Sequence, residues 1–136
     1  MKLQHDVARN VQERYAATKQ LARVYFISDL DPSGLDLQRA WKEAMKNFGA
    51  GCIFKRIALT REQVDEHDLG AFALEVKPSD TRSKTYVPEH GPRAWEVDVL
   101  EPGVIRAAID DDIREWLDDD AWQRREIEID AARRLL

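Results

Sequence analysis

The feature that most constrains this chain is the stretch Val24-Tyr25-Phe26-Ile27-Ser28-Asp29-Leu30-Asp31-Pro32-Ser33-Gly34, where an apolar run stops at two carboxylates and a tight turn. Val24 to Ile27 are β-branched or aromatic and uncharged, the pattern of a strand covered on both faces in a parallel sheet. Asp29 and Asp31 fall at its C-terminal end. Two residues apart in an extended backbone they point the same way, with Cα atoms roughly 6.5 Å apart, so one hard cation can bridge both. Pro32, Ser33 and Gly34 turn the chain, and Ser33 with Asp36 three residues on predicts an N-cap and capping box for the next helix. With Ser33 as the cap, both acids are left for other work. Ligands of open α/β sheets gather beyond the carboxyl ends of the strands, which makes this turn the candidate site.

The pattern on either side predicts an α/β fold. Leu3, Val7, Val11 and Tyr15 recur every four residues and predict an amphipathic helix over about 2–22. After the turn, Leu37, Trp41, Ala44, Met45 and Phe48 keep helical spacing as a core-packing stripe, and Gly49 and Gly51 end that helix. Cys52, Ile53, Phe54, Ile57, Ala58 and Leu59 predict a second strand, interrupted by Lys55 and Arg56. A strand, helix, strand unit of this kind pairs its strands in parallel. Thr60 with Gln63 is a capping box for a short helix over about 61–68. Phe72 to Val76 suit a short extended piece, and 77–91, with Pro78, Pro88 and Gly91, reads as a long loop. Trp95, Val97 and Val99 alternate with Glu96 and Asp98 as a third strand with two acids on one face.

Pro102 opens a helix whose apolar face is Ile105, Ile109, Ile113, Trp116 and Leu117, with Asp110, Asp111 and Asp112 midway along it. Asp120 with Gln123 predicts the cap of a last helix through about Arg134. Its Trp122, Ile129 and Leu136 are only weakly periodic, and suit packing on a neighbour outside the chain. The expected architecture is a mainly parallel sheet flanked by helices, with a helical C-terminal tail over about 102–136, all in one domain of 136 residues.

Composition narrows the function. A net charge of −5 argues against a self-sufficient DNA-binding surface, since non-specific affinity for phosphates comes from clustered Lys and Arg. Cys52 alone permits no internal disulfide and suits a reduced, cytoplasmic setting. His5, His67 and His90 lie far from any cysteine at zinc spacing. No apolar stretch reaches the ~18 residues of a membrane span, so a soluble, unexported protein without a membrane partner is expected.

The run Ile27-Ser28-Asp29-Leu30-Asp31-Pro32-Ser33-Gly34-Leu35-Asp36 resembles the Asp-x-Asp-Pro-x-Gly segment of Toprim domains, nearest the A subunit of topoisomerase VI and its bacterial and phage relatives. Ile57-Ala58-Leu59-Thr60-Arg61-Glu62-Gln63-Val64 is similar to the strand and Thr-capped helix that follow in that group. Lys77-Pro78-Ser79-Asp80-Thr81-Arg82 resembles its polar loop, and Trp95-Glu96-Val97-Asp98-Val99-Leu100-Glu101-Pro102 its Glu-x-Asp strand. The likeness runs in order over roughly residues 5–136. It implies a partial Toprim-like fold and magnesium, or manganese, held by Asp29 with Asp31 close by. It also implies DNA as the partner of the parent protein, whose metal polarises a phosphodiester and steadies the leaving 3′ oxygen. The family's further Glu, on a strand before the Asp-x-Asp, and its tyrosine-bearing winged helix are not matched here. Tyr15, Tyr25 and Tyr86 stand in no corresponding context, and the chain alone is not expected to cleave DNA.

Around that pair, Glu96 and Asp98 are candidate accessory acids, and Lys77, Arg82 and Lys84 candidate phosphate contacts on the loop. Arg82 can equally pair with Asp80 to order it. Two other readings stay open. One is a non-catalytic structural or dimerising module, a homodimer included, in which the acids are idle. The other is phosphoryl transfer through an aspartyl-phosphate on Asp29, which normally needs a later lysine and a further acidic pair at strand ends.

Overall fold

The computed structural model describes residues 2–117 and 119–136. The chain divides into two compact units, Met1–Glu101 and Pro102–Leu136, each taken by itself below.

The first unit opens with helix α1, Lys2–Thr18, and enters strand β1, Ala22–Ile27, through Lys19 in the left-handed region. Helix α2, Pro32–Asn47, leads to strand β2, Cys52–Ala58. The two strands pair in parallel from Ala22 opposite Cys52 to Phe26 opposite Arg56, after which Ile27 faces Ala58 and the register slips by one residue. The strand, helix, strand unit read from the apolar spacing is thus present. Among the described residues the parallel sheet has two strands.

Apolar spacing explains how the helices cover this sheet. Val7, Ala8 and Val11 of α1 pack with Trp41, Ala44, Met45 and Phe48 of α2 and with Val24 and Cys52 from the strands. The Trp and Met stripe of α2 is core packing, as its period predicts. A second buried group, including Leu30, Leu59, Val64, Leu69, Tyr86 and Trp95, lies toward the C-terminal ends of the strands.

The capping box of Thr60 and Gln63 is present and opens helix α3, Arg61–Glu66, and a 3-10 turn, Leu69–Phe72, follows. Two other expectations beyond β2 fail. Residues 77–91 are not a continuous loop, since Ser83–His90 form helix α4 with Pro88 inside it. Composition misled because the helix is held from outside. Tyr86 is buried and anchored by its hydroxyl, which offsets the backbone bond that Pro88 removes.

Nor do residues 95–99 form a third strand. Strand β3, Leu74–Glu75, pairs antiparallel with β4, Arg93–Ala94, in a separate small sheet, and Val97–Val99 is a 3-10 turn. Between them Trp95 makes a lone antiparallel bridge to Leu30. The alternation of Val97 and Val99 with Glu96 and Asp98 therefore reflects a tight turn rather than a pleat.

The second unit is a pair of helices, α5, Pro102–Trp116, and α6, Asp119–Arg134. Asp120 lies inside α6 rather than before it, so the predicted cap at Asp120 is displaced. Among the described residues no helix is long and apolar enough to cross a membrane.

Candidate functional site

The turn after β1 is clamped from two sides by backbone pairing. On one side Ser28 N–H donates to Ala58 O at 2.9 Å and Leu59 N–H to Ser28 O at 2.8 Å. On the other, Leu30 and Trp95 exchange hydrogen bonds of 2.9 and 3.0 Å. The segment carrying the two acids is thus fixed between the end of β2 and residues 95–97.

Asp29 accepts a hydrogen bond on Oδ1 from Val97 N–H at 2.7 Å. Asp31, in extended conformation, is the N-cap of α2, its Oδ1 accepting from Gly34 N–H at 2.5 Å. The expectation that Ser33 caps this helix is therefore corrected, and with it the inference that both acids stand clear of the scaffold. Asp31 wins because Pro32 occupies the first helical position, where its fixed φ and missing N–H suit N1. Ser33 lies two residues too late, inside the first turn, and its Oγ instead accepts from Arg82 Nη1 at 3.1 Å. Each carboxylate thus commits one oxygen to the backbone, while Oδ2 of each has no hydrogen bond among the described residues.

A residue that the sequence reading passed over organises this turn. Arg56 donates from Nη2 to Ser28 O at 3.1 Å and Asp29 O at 2.7 Å, from Nε to Leu59 O at 2.7 Å, and from Nη1 to Gln38 Oε1 at 2.8 Å. One guanidinium ties both strand ends to the middle of α2, a use for which its fork of donors is suited. Burial lowers its pKa, and Asp31, Tyr86 and Asp29 oppose that shift. The available signal was a Lys55-Arg56 pair inside an otherwise apolar run, where charge is rare unless it is satisfied.

Tyr86 and Trp95 complete the support. The Tyr86 hydroxyl lies 2.9 Å from Leu30 O and 2.8 Å from Arg93 O, within reach of either carbonyl. Trp95 Nε1–H donates to Leu69 O at 3.0 Å, and the Arg61 guanidinium sits 5.2 Å from the indole centroid. Burial, with Asp31 adding to it, pushes the Tyr86 phenol from 10.0 up to about 12. The fold holds the neutral form, so its contribution is intact below the unfolded value near 10 and is lost as pH rises through about 12. Melting temperatures from pH 9 upward should fall in this window, and Tyr86→Phe should flatten that part of the profile. An equal alkaline slope in both proteins would dismiss Tyr86 as its source.

The remaining candidates are not drawn to the aspartates. Glu96 and Asp98 are exposed, on the segment whose Val97 amide reaches Asp29. Among the described residues no three His, Cys, Asp or Glu side chains are placed to hold one metal ion. Arg82 donates to Asp80 through two side-chain hydrogen bonds, of 2.9 and 3.1 Å, and one from its backbone N–H at 2.9 Å; together they lower the Asp80 pKa, and the side-chain pair raises that of Arg82. It also reaches the first turn of α2 through Ser33. Lys77 and Lys84 are exposed and make no hydrogen bond or ion pair to the turn among the described residues. A groove of about 580 Å³ beside α2 is lined by Leu30, Gln38, Arg56 and Leu59 but by neither aspartate.

Comparison with family models, with curated proteins and with solved structures returns no match for this chain. Fold and site together define an α/β protein whose parallel strand ends in a rigidly held pair of aspartates.

Proposed function

We propose that this chain is a partial Toprim-type domain of a topoisomerase VI A-like protein, in which Asp29 and Asp31 hold magnesium, or manganese, for DNA strand transfer by the parent protein. The observation that carries this reading is the pair of carboxylates just beyond β1, each with Oδ1 fixed by an amide and Oδ2 without a hydrogen bond among the described residues. The donor set fits a hard divalent ion that keeps several waters and takes few protein ligands. Such an ion supplies Lewis-acid polarisation of a phosphodiester and steadies a leaving oxygen.

The chain's own residues supply the rest. Arg56 and Val97 N–H fix Asp29, Gly34 N–H fixes Asp31, and exposed Lys77 and Lys84 offer charge for backbone phosphates. Arg82 is neutralised by Asp80 and serves instead to hold α4 near the start of α2. The single cysteine suits a cytoplasmic setting.

With two protein carboxylates, ion binding should be weak, with Kd roughly 1 mM. Calorimetric titration of Mg²⁺ or Mn²⁺ into the wild type should show such a site. Asp29→Asn, which keeps the acceptor for Val97 N–H, should abolish it without lowering the melting temperature. Equal binding by both proteins removes the metal site. A stable adduct on Asp29 after treatment with an acyl-phosphate mimic would favour the phosphotransferase reading. A structural module is the second reading, since among the described residues no third acid is placed with the pair to hold one ion. That reading requires no divalent-ion binding by the wild type.

A further inference from the structure

Helix α6 presents every described residue from 120 to 136 in an exposed state, including Trp122 at 50% and Ile129 at 39% of full exposure. Isolated helices of about this length are marginal in water, and in proteins most helical stability comes from packing an apolar face. Toward its C-terminal part α6 carries exposed ion pairs, Arg125 with Glu128 at 3.1 Å and Arg133 with Asp130 at 3.9 Å. Such pairs contribute little.

The exposed face is patterned. Trp122 and Ile129, seven residues apart, share one side of the helix, and Leu136, seven further on, follows just past its end. Arg125 and Ala132 flank them on one side, Glu126 and Arg133 on the other. A shallow groove of about 290 Å³ lies along this face, lined by Trp122, Glu126, Ile129 and Arg133 among others.

We propose that this face binds a second copy of the chain, whose own α6 lies antiparallel across it about a two-fold axis at Ile129. The symmetry decides the occupant. A two-fold axis between antiparallel helices brings the same flank of each together and reverses their direction. Glu126 lies three residues before Ile129 and Arg133 four residues after it, on one flank. The Glu126 carboxylate of one copy therefore falls against the Arg133 guanidinium of the other, and the pair occurs twice. On the apolar stripe Ile129 meets its own copy, Trp122 meets the Leu136 end, and the Arg125 stem covers Ala132. A parallel arrangement in register would instead bring opposite flanks together, setting Glu126 and Arg133 of one copy toward Arg125 and Ala132 of the other, so that Glu126 and Arg133 would not pair. The inference is independent of any ion at Asp29 and Asp31.

One helix pair is small for a specific interface, so dissociation in the micromolar range is expected. Sedimentation equilibrium of the full chain over a concentration series from about 1 µM to about 1 mM covers that range. It should show the mass of one chain rising to that of two. Ile129→Glu should remain a single chain throughout, with helical content by circular dichroism unchanged at low concentration. Glu126→Arg and Arg133→Glu should each weaken association about fivefold, through two exposed ion pairs lost at once. The double variant Glu126→Arg with Arg133→Glu should restore it. A single-chain mass for the wild type over the whole range overturns the proposal, as does a dimer that survives Ile129→Glu. Failure of the double swap to recover what each single swap loses overturns the antiparallel arrangement.

Discussion

Trp95→Ala is expected to reduce the stability of the first unit by about 4 kcal/mol, the scale of a buried tryptophan cut back to alanine. The indole is 2% exposed, and its Nε1–H is the donor to Leu69 O in a buried setting. The substitution removes packing on every side of the ring and leaves that carbonyl without its partner, a loss of about 1–3 kcal/mol by itself. Trp95→Phe keeps most of the packing and should cost about half as much. Urea denaturation followed by circular dichroism measures both. A loss below about 1 kcal/mol for the alanine variant would mean that the 95–97 segment is not held as described. Because Val97 N–H is the partner of Asp29, the same variant should weaken any ion binding at the turn.

Gly34→Ala separates two effects of opposite sign. Alanine in place of glycine within a helix is favourable by about 1 kcal/mol. A Cβ at Gly34, however, would run into the backbone oxygen of Asp29, with Ser28 Oγ at 2.9 Å and Asp31 Oδ1 at 3.1 Å. The Asp29 carbonyl cannot yield easily, since Arg56 holds it at 2.7 Å. The first turn of α2 must lift instead, which breaks the cap from Asp31. Overpacking costs about 1–3 kcal/mol and occasionally more, so the clash should win and the variant should lose about 2 kcal/mol net. Thermal melting should show a clear fall, and divalent-ion titration a loss of binding. A melting temperature at or above that of the wild type would show that the turn has room the structure denies it.

The elements legible in the sequence are those written in local pattern. The 3.6-residue spacing of Trp41, Ala44, Met45 and Phe48 and the capping box of Thr60 and Gln63 needed no knowledge of neighbours, and both are present, although Leu37 of the expected stripe is exposed. Elements decided by distant contacts were not legible. Helix α4 depends on Tyr86 reaching Leu30, 56 residues earlier, and the bend at Trp95 depends on pairing with that same leucine. At the site, the positions of Asp29 and Asp31 followed from the strand and its turn. Their hydrogen bonds did not, because the choice between Asp31 and Ser33 as the cap rests on a two-residue shift of the helix start. Arg56 was hidden for a related reason, since three of its four bonds go to backbone carbonyls, which leave no mark in the sequence.

The hydrogen bond from Gly34 N–H to Asp31 also sets a thermodynamic trade. Any guest that rotates the Asp31 carboxylate away from Gly34 gives up a helix cap worth about 1 kcal/mol, close to a fivefold reduction in affinity. By reciprocity, whatever loosens the start of α2 makes that side chain more available. Fraying at the beginning of one helix and occupancy at the strand end are then two readings of a single equilibrium, and amide exchange at Gly34 reports both.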